Sequence, residues 1–140
     1  MHSSPSVADI EFKDRFETGR VPLSEFSHRE HLQLAFVYLC ETGGDNAHER
    51  MQNSLKDFLQ ANNVPDGKYH ETLTQSWLRA VKYFMSRSQG AVSFEDFIAA
   101  DDRLLDTNIM LTHYRRETLF SEKARSEYVA PDLQPIPMVA

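Results

Sequence analysis

The sequence has a single cysteine, few glycines and prolines, and no apolar run long enough to cross a bilayer. With only Cys40, an intrachain disulfide and a cysteine-rich zinc motif are both excluded. The 15 basic residues are outnumbered by 21 acidic ones, which gives a net charge of -6. Since a phosphate polymer needs a basic protein face, we expect no nucleic-acid partner. Without an apolar span, we expect no membrane partner either.

The N-terminal segment lacks the basic stretch and the apolar run of a signal peptide, so we expect a cytoplasmic protein. The strict polar–apolar alternation of strands is also missing from the sequence. Apolar residues instead recur at helical spacing between turn segments such as TGGDN and NNVPDG. We predict one all-α domain over residues 1–140, a bundle of five to seven helices with an extended, proline-rich tail over 130–140.

Helix boundaries follow from capping residues and from breaks in the apolar pattern. Ser27 and Glu30 have the spacing of a capping box, and Ser93 and Asp96 repeat it. The pattern predicts helices over Val7–Glu17, over 28–41, from 45 or 46, over 68–86, from 94, from 106 and from 122.

Two histidines lie at the start of the predicted second helix. His28 and His31 are three residues apart, so they lie one turn apart on the same helix face. That face continues through Leu32, Ala35 and Leu39, so both rings should point into the bundle. Metal sites in helical bundles take two ligands from one helix at this spacing.

Two further histidines lie beside the core-facing stripes of other segments. His70 precedes Leu73 by three residues, and His113 follows Ile109 by four. The dipole at a helix N-terminus disfavours imidazolium, so the rings nearest the helix starts should be neutral, which is the metal-binding form. Four histidines near one interior predict a site for one divalent transition metal, with iron, zinc, manganese and copper all suitable. The alternative for each ring is a hydrogen-bonded core histidine without a ligand.

Other polar residues adjoin these histidines. Tyr69 and Tyr114 could transfer a proton, and the Glu71 carboxylate could assist the chemistry or balance the metal charge. Arg116, with Arg115 beside it, could orient an anionic substrate. The alternatives are tyrosines that belong to the core and arginines paired with a protein carboxylate.

Several of these motifs together resemble those of a family of small bacterial helical proteins whose activity is uncharacterised. The motifs are F-S-H-R-E-H-L at 26–32, K-Y-H-E-T at 68–72, L-L-D at 104–106, H-Y-R-R-E at 113–117 and the tail APDLQPIP. The resemblance covers residues 16–137, and it brings no activity with it.

We therefore predict a metal-dependent enzyme that acts on a small anionic molecule by hydrolysis or by oxygen chemistry. The chain would work as a monomer or a homodimer. The metal would be bound by His28, His31, His70 and His113. Two alternatives stay open: a metal-free protein that binds a carboxylate or phosphate, and a structural or partner-binding bundle with core histidines.

Overall fold

The computed structural model describes residues 2–88 and 90–137, which form helices and turns with no strand among them. The all-α prediction is therefore confirmed. The described residues form eight α-helices where five to seven were predicted, since the C-terminal part of the chain forms three short helices of five residues or fewer. Within these ranges, no helix is both long enough and apolar enough to cross a membrane. The α-helices are α1 Val7–Glu17, α2 His28–Thr42, α3 Gly44–Ala61, α4 Glu71–Ser86, α5 Phe94–Ala100, α6 Met110–His113, α7 Arg116–Leu119 and α8 Glu122–Ser126.

Helix α2 is buried on nearly all sides and lies at the centre of the bundle. Leu32 and residues 34–39 are all buried. A helix that is apolar all round must be covered by neighbours, and α2 contacts α1, α3, α4, α5 and the 3-10 turn Asp102–Leu105. This packing fixes the position of the residues at the helix N-terminus.

The start of α2 is a capping box, as the spacing of Ser27 and Glu30 predicts. Ser27 has an extended backbone, and its N–H donates to the Glu30 carboxylate at 3.1 Å. The reciprocal bond to the Ser27 side chain is also present. His28 is consequently the first helical residue, and His31 follows one turn later.

A buried carboxylate, Asp9, joins three helices and also forms a capping box with Ser6 at the start of α1. Asp9 in α1 accepts hydrogen bonds from Ser6 N–H at 2.9 Å, from Phe94 N–H at 2.8 Å and from Gln33 Nε2 at 3.0 Å. Burial raises the pKa of the Asp9 carboxyl, but these hydrogen bonds outweigh that effect, so the pKa lies below its usual value. Asp9 thereby connects α1 to α2 and to the start of α5.

The prediction of a helix over 68–86 is wrong at its N-terminal end. Asp66–Lys68 form a separate 3-10 turn, and α4 begins at Glu71 with His70 as its N-cap. The His70 ring takes the place that serine or aspartate usually has at a helix start, because its Nδ1 accepts a hydrogen bond from Leu73 N–H at 3.1 Å.

The segment from 101 to 113 is divided into short pieces, whereas the sequence predicted a helix from 106. It forms the 3-10 turns Asp102–Leu105 and Thr107–Ile109 before the short helix α6. Asp101 and Asp106 each accept a hydrogen bond from the main-chain N–H two residues ahead. Aspartate side chains that bond the nearby backbone in this way compete with regular helix.

The C-terminal segment is extended and lies against α6 and α7 as far as residue 137; the remainder of the predicted tail, 138–140, lies outside the described residues. Leu133 N–H donates to the His113 carbonyl at 2.9 Å. The Asp132 carboxylate accepts from Thr118 Oγ1 and from Arg115 N–H, and the Ile136 side chain is buried. The segment is therefore part of the packed structure.

Candidate functional site

A cleft of about 520 Å³ lies among the start of α2, the second half of α3, the first half of α4 and the segment from 107 to 120. Most of its wall is apolar, and Phe58, Trp77 and Leu119 are among the residues that line it. A volume of this size and a wall of this kind are typical of small-molecule sites. Five residues that the sequence singled out line this one cleft: His28, His31, Tyr69, His70 and Arg116.

His28 is held in place by one hydrogen bond and one aromatic contact. Its Nε2–H donates to the Leu104 carbonyl at 2.8 Å, and its ring meets the Trp77 ring edge-on with centroids 4.4 Å apart. Because Nε2 carries the proton, Nδ1 is left with a lone pair. Among the residues the structure describes, none hydrogen-bonds that Nδ1 atom.

His31 lines the same cleft with its ring nitrogens uncommitted. The ring lies edge-on to Phe26, with centroids 6.3 Å apart, and within residues 2–88 and 90–137 it has no hydrogen-bond partner. Burial, and secondarily the neighbouring His28, lowers the pKa of the His31 ring from 6.5 to about 4. The ring is therefore neutral at pH 7, with one N–H donor and one lone pair available.

His70 also lines the cleft, but both of its ring nitrogens are engaged. Nδ1 accepts from Leu73 N–H, and Nε2–H donates to the Leu119 carbonyl at 2.7 Å. These bonds fix one tautomer and join the start of α4 to α7. Burial lowers the pKa of the His70 ring below its usual value. Coordination of a metal by His70 would require one of these structural bonds to open.

The charge around the cleft contrasts with the charge of the whole chain. Lys68 and Arg116 line it, and no Asp or Glu contributes to its wall within the described part of the chain. Neither cation belongs to an ion pair among those residues. The rim is also apolar, since Leu23 is 43% exposed and Phe120 is 46% exposed. An apolar interior with a cationic edge favours a ligand that has an apolar body and one negative group.

Three residues predicted for the site lie elsewhere. The His113 Nδ1–H donates to the Gln134 carbonyl at 2.7 Å, and Arg115 N–H donates to Asp132. Tyr114 is completely buried, and its hydroxyl donates to the Val129 carbonyl at 2.6 Å. All three bonds hold the C-terminal segment, because the chain leaves its helical course at Tyr114.

Glu71 belongs to a polar cluster beside the cleft. Its carboxylate accepts from Tyr69 OH at 2.7 Å, from His48 Nε2–H at 2.7 Å and from Gln75 Nε2 at 2.8 Å. Burial raises the pKa of the Glu71 carboxyl, but these hydrogen bonds outweigh burial, so the pKa lies below its usual value. No spacing in the sequence connects His48 with Glu71, because they meet only through the packing of α3 against α4.

The histidines share a cleft without forming a compact ligand set. In the described ranges, no group of three or more His, Cys, Asp or Glu side chains is placed to hold a metal ion. Of the three histidines that line the cleft, His28 and His31 each keep a ring nitrogen free of the hydrogen bonds seen here, whereas both nitrogens of His70 are engaged. The mononuclear metal site stays a prediction.

In comparisons with known proteins, no family model, curated protein or solved structure matches this chain. The resemblance of its motifs to small bacterial helical proteins stays a prediction, and the proposals below depend on the geometry of the cleft.

Proposed function

We propose that this chain binds a small amphipathic anion, a carboxylate or phosphate with an apolar body, in the cleft between α2, α3, α4 and α7. The observation that carries this proposal is the composition of the wall. It combines apolar side chains with Lys68 and Arg116 and, among the described residues, with no carboxylate. In a chain of net charge -6, such a local excess of positive charge selects anions.

The apolar walls would bind the body of the ligand. Trp77 is 5% exposed, and Phe58 is also buried, so both side chains are held in place by the core behind the cleft. Burial of apolar ligand surface contributes about 25 cal/mol per Å². Arg116 lies over the Phe120 ring at 5.9 Å, a contact that presents its planar guanidinium near the rim, where it can bind two anionic oxygens.

Trp77 makes the proposal directly testable, because it is the single tryptophan of the chain and lines the cleft. Octanoate and octyl phosphate should change its fluorescence in a saturable way. Octyltrimethylammonium has the same chain with the opposite charge and should bind more weakly. If all three ligands bind equally, the cleft has no preference for anions and the proposal fails.

A matched pair of variants assigns the anionic contact. Arg116→Gln should weaken octanoate binding by about tenfold, because a hydrogen bond to a charged group contributes about 1.5 kcal/mol or more. Arg115→Gln is the control, since Arg115 is the neighbouring arginine and does not line the cleft. Equal losses in the two variants would mean that only the overall charge matters.

Our second proposal is the predicted metal-dependent chemistry, with two histidine ligands in place of the four predicted. It is supported by His28 and His31, which line the cleft one turn apart with uncommitted ring atoms. Two histidines leave most coordination positions of iron or zinc open to a substrate. Elemental analysis of untagged protein tests this proposal: metal in a one-to-one ratio, lost in the His28→Ala, His31→Ala double variant, would support it.

A further inference from the structure

Ionisable side chains line the cleft in two groups. One group is at the rim, where Lys68 and Arg116 supply positive charge. The other is at the start of α2, where His28 and His31 supply imidazole rings. Most of the remaining lining is apolar, with hydroxyl and amide groups from residues such as Thr74 and Asn108. A ligand that satisfies the whole cleft must therefore have polar groups at both ends and an apolar middle.

The separation of these places can be read along α4. His70, at the start of the helix, contacts the Phe120 ring next to Arg116, with ring centroids 6.2 Å apart. Trp77, seven residues later, contacts His28, which lies one helical turn from His31 on α2. At 1.5 Å per residue, the two contacts lie about 10 Å apart along the helix. A medium-length acyl chain or a substituted aromatic ring covers such a distance.

The chemistry of His31 determines which group of the ligand suits the end of the cleft at the start of α2. A neutral imidazole has one donor and one acceptor, and none of the described residues uses either of them. The His31 ring is partly exposed to the cleft, so a ligand that covers its nitrogens without pairing them loses roughly 1 to 3 kcal/mol. A hydroxyl group can accept from the N–H and donate to a lone pair, whereas a carboxylate can only accept.

We propose that the ligand is a hydroxylated carboxylate, with its carboxylate at Arg116 and a neutral hydroxyl at His31 on opposite sides of an apolar body. This assignment rests on the proposed function, the binding of an amphipathic anion, and adds to it the polarity and the orientation of the ligand. The carboxylate stays near water at the rim, and the hydroxyl enters the cleft because its hydrogen bonds are replaced there.

The test compares matched pairs of ligands by Trp77 fluorescence and by calorimetry. The pairs are octanoate with omega-hydroxyoctanoate, and phenylpropanoate with para-hydroxyphenylpropanoate. In at least one pair the hydroxylated member should bind about fivefold to tenfold more tightly, the effect of one net hydrogen bond. Octanedioate, whose second end is charged, should bind more weakly than omega-hydroxyoctanoate.

Variants at position 31 connect the preference to the histidine. His31→Phe keeps a ring of similar size and should abolish the preference for the hydroxylated ligand, while octanoate still binds. His31→Gln retains a donor and an acceptor and should keep part of the preference. His2→Phe, a change at an exposed histidine outside the cleft, should have no effect.

The outcomes separate the two levels of the proposal. If octanoate binds through Arg116 but neither hydroxylated ligand binds more tightly, or if His31→Phe keeps the preference, the assignment of the hydroxyl is overturned and anion binding stands. If no carboxylate or phosphate binds at all, the proposed function itself fails.

Discussion

Replacing His31 by phenylalanine should flatten the acid side of the stability profile of this protein. Burial lowers the pKa of the His31 ring to about 4 in the folded chain, against 6.5 for an ordinary histidine. Between these two pH values the unfolded chain binds a proton that the folded chain does not, so the free energy of unfolding falls as the pH falls. Above pH 6.5 the ring is neutral in both states, and this contribution disappears.

The size of the effect follows from the width of that window. Each pH unit corresponds to about 1.4 kcal/mol, so at pH 4.5 the penalty without screening by water would be ~2.5 kcal/mol. Water in the open cleft screens part of the charge, and we therefore expect about 1 to 2 kcal/mol. The phenylalanine variant has no proton to bind, so its stability relative to the wild type should rise by this amount between neutral and acidic pH.

Urea unfolding followed by the helical circular dichroism signal measures this difference at about pH 7, 5.5 and 4.5. Asp9 and Glu71 have lowered pKa values and lose their own stabilising contribution in acid, but they do so in both proteins, and the comparison removes their effect. His2→Phe serves as the control for a change of histidine to phenylalanine. Parallel profiles for the wild type and the His31 variant would refute the reasoning.

Three further substitutions probe contacts outside the cleft. Asp9→Asn should lower the free energy of unfolding by about 1 to 3 kcal/mol, because an amide cannot accept all the hydrogen bonds that the carboxylate accepts; a loss as small as that of the exposed control Asp14→Asn would contradict this. Glu71→Gln should cost a similar amount in urea unfolding by breaking the bond from His48, and an unchanged midpoint would show that the cluster adds no stability. Tyr114→Phe should cost about 1 kcal/mol through loss of the bond to Val129, and faster carboxypeptidase cleavage of the C-terminal segment is the measurement; unchanged cleavage would mean that this bond does not hold it.

The parts of the cleft that could be predicted are those determined by local sequence. The capping box of Ser27 and Glu30 fixes the start of α2, and helical spacing then places His28 and His31 on one inward face. Arg116 also lines the cleft with His28, His31 and His70, although His113, the histidine nearest to it in sequence, lies elsewhere. Capping and helical spacing involve only a few residues along the chain, so they do not depend on how distant segments pack.

The parts that could not be predicted depend on how distant segments meet. Helical spacing placed His113 on an inward face, but the helix ends there, and its ring instead holds Gln134. His70 looks like a helix residue until the 3-10 turn before it is known, and only then does its capping role follow. The bond between His48 and Glu71 depends on the register of α3 against α4, which no short motif specifies.

The short helix α7 supplies one wall of the cleft, and the chain that follows holds it in place. Thr118 and Arg115 bind Asp132, and Tyr114 binds Val129. Because the proposed ligand would need that wall, its binding would be coupled to docking of the C-terminal segment. At a ligand concentration of a hundred times Kd, the docked state would gain about 2.7 kcal/mol. The resistance of the C-terminal segment to proteases and its rate of amide hydrogen exchange would then report whether the cleft is occupied.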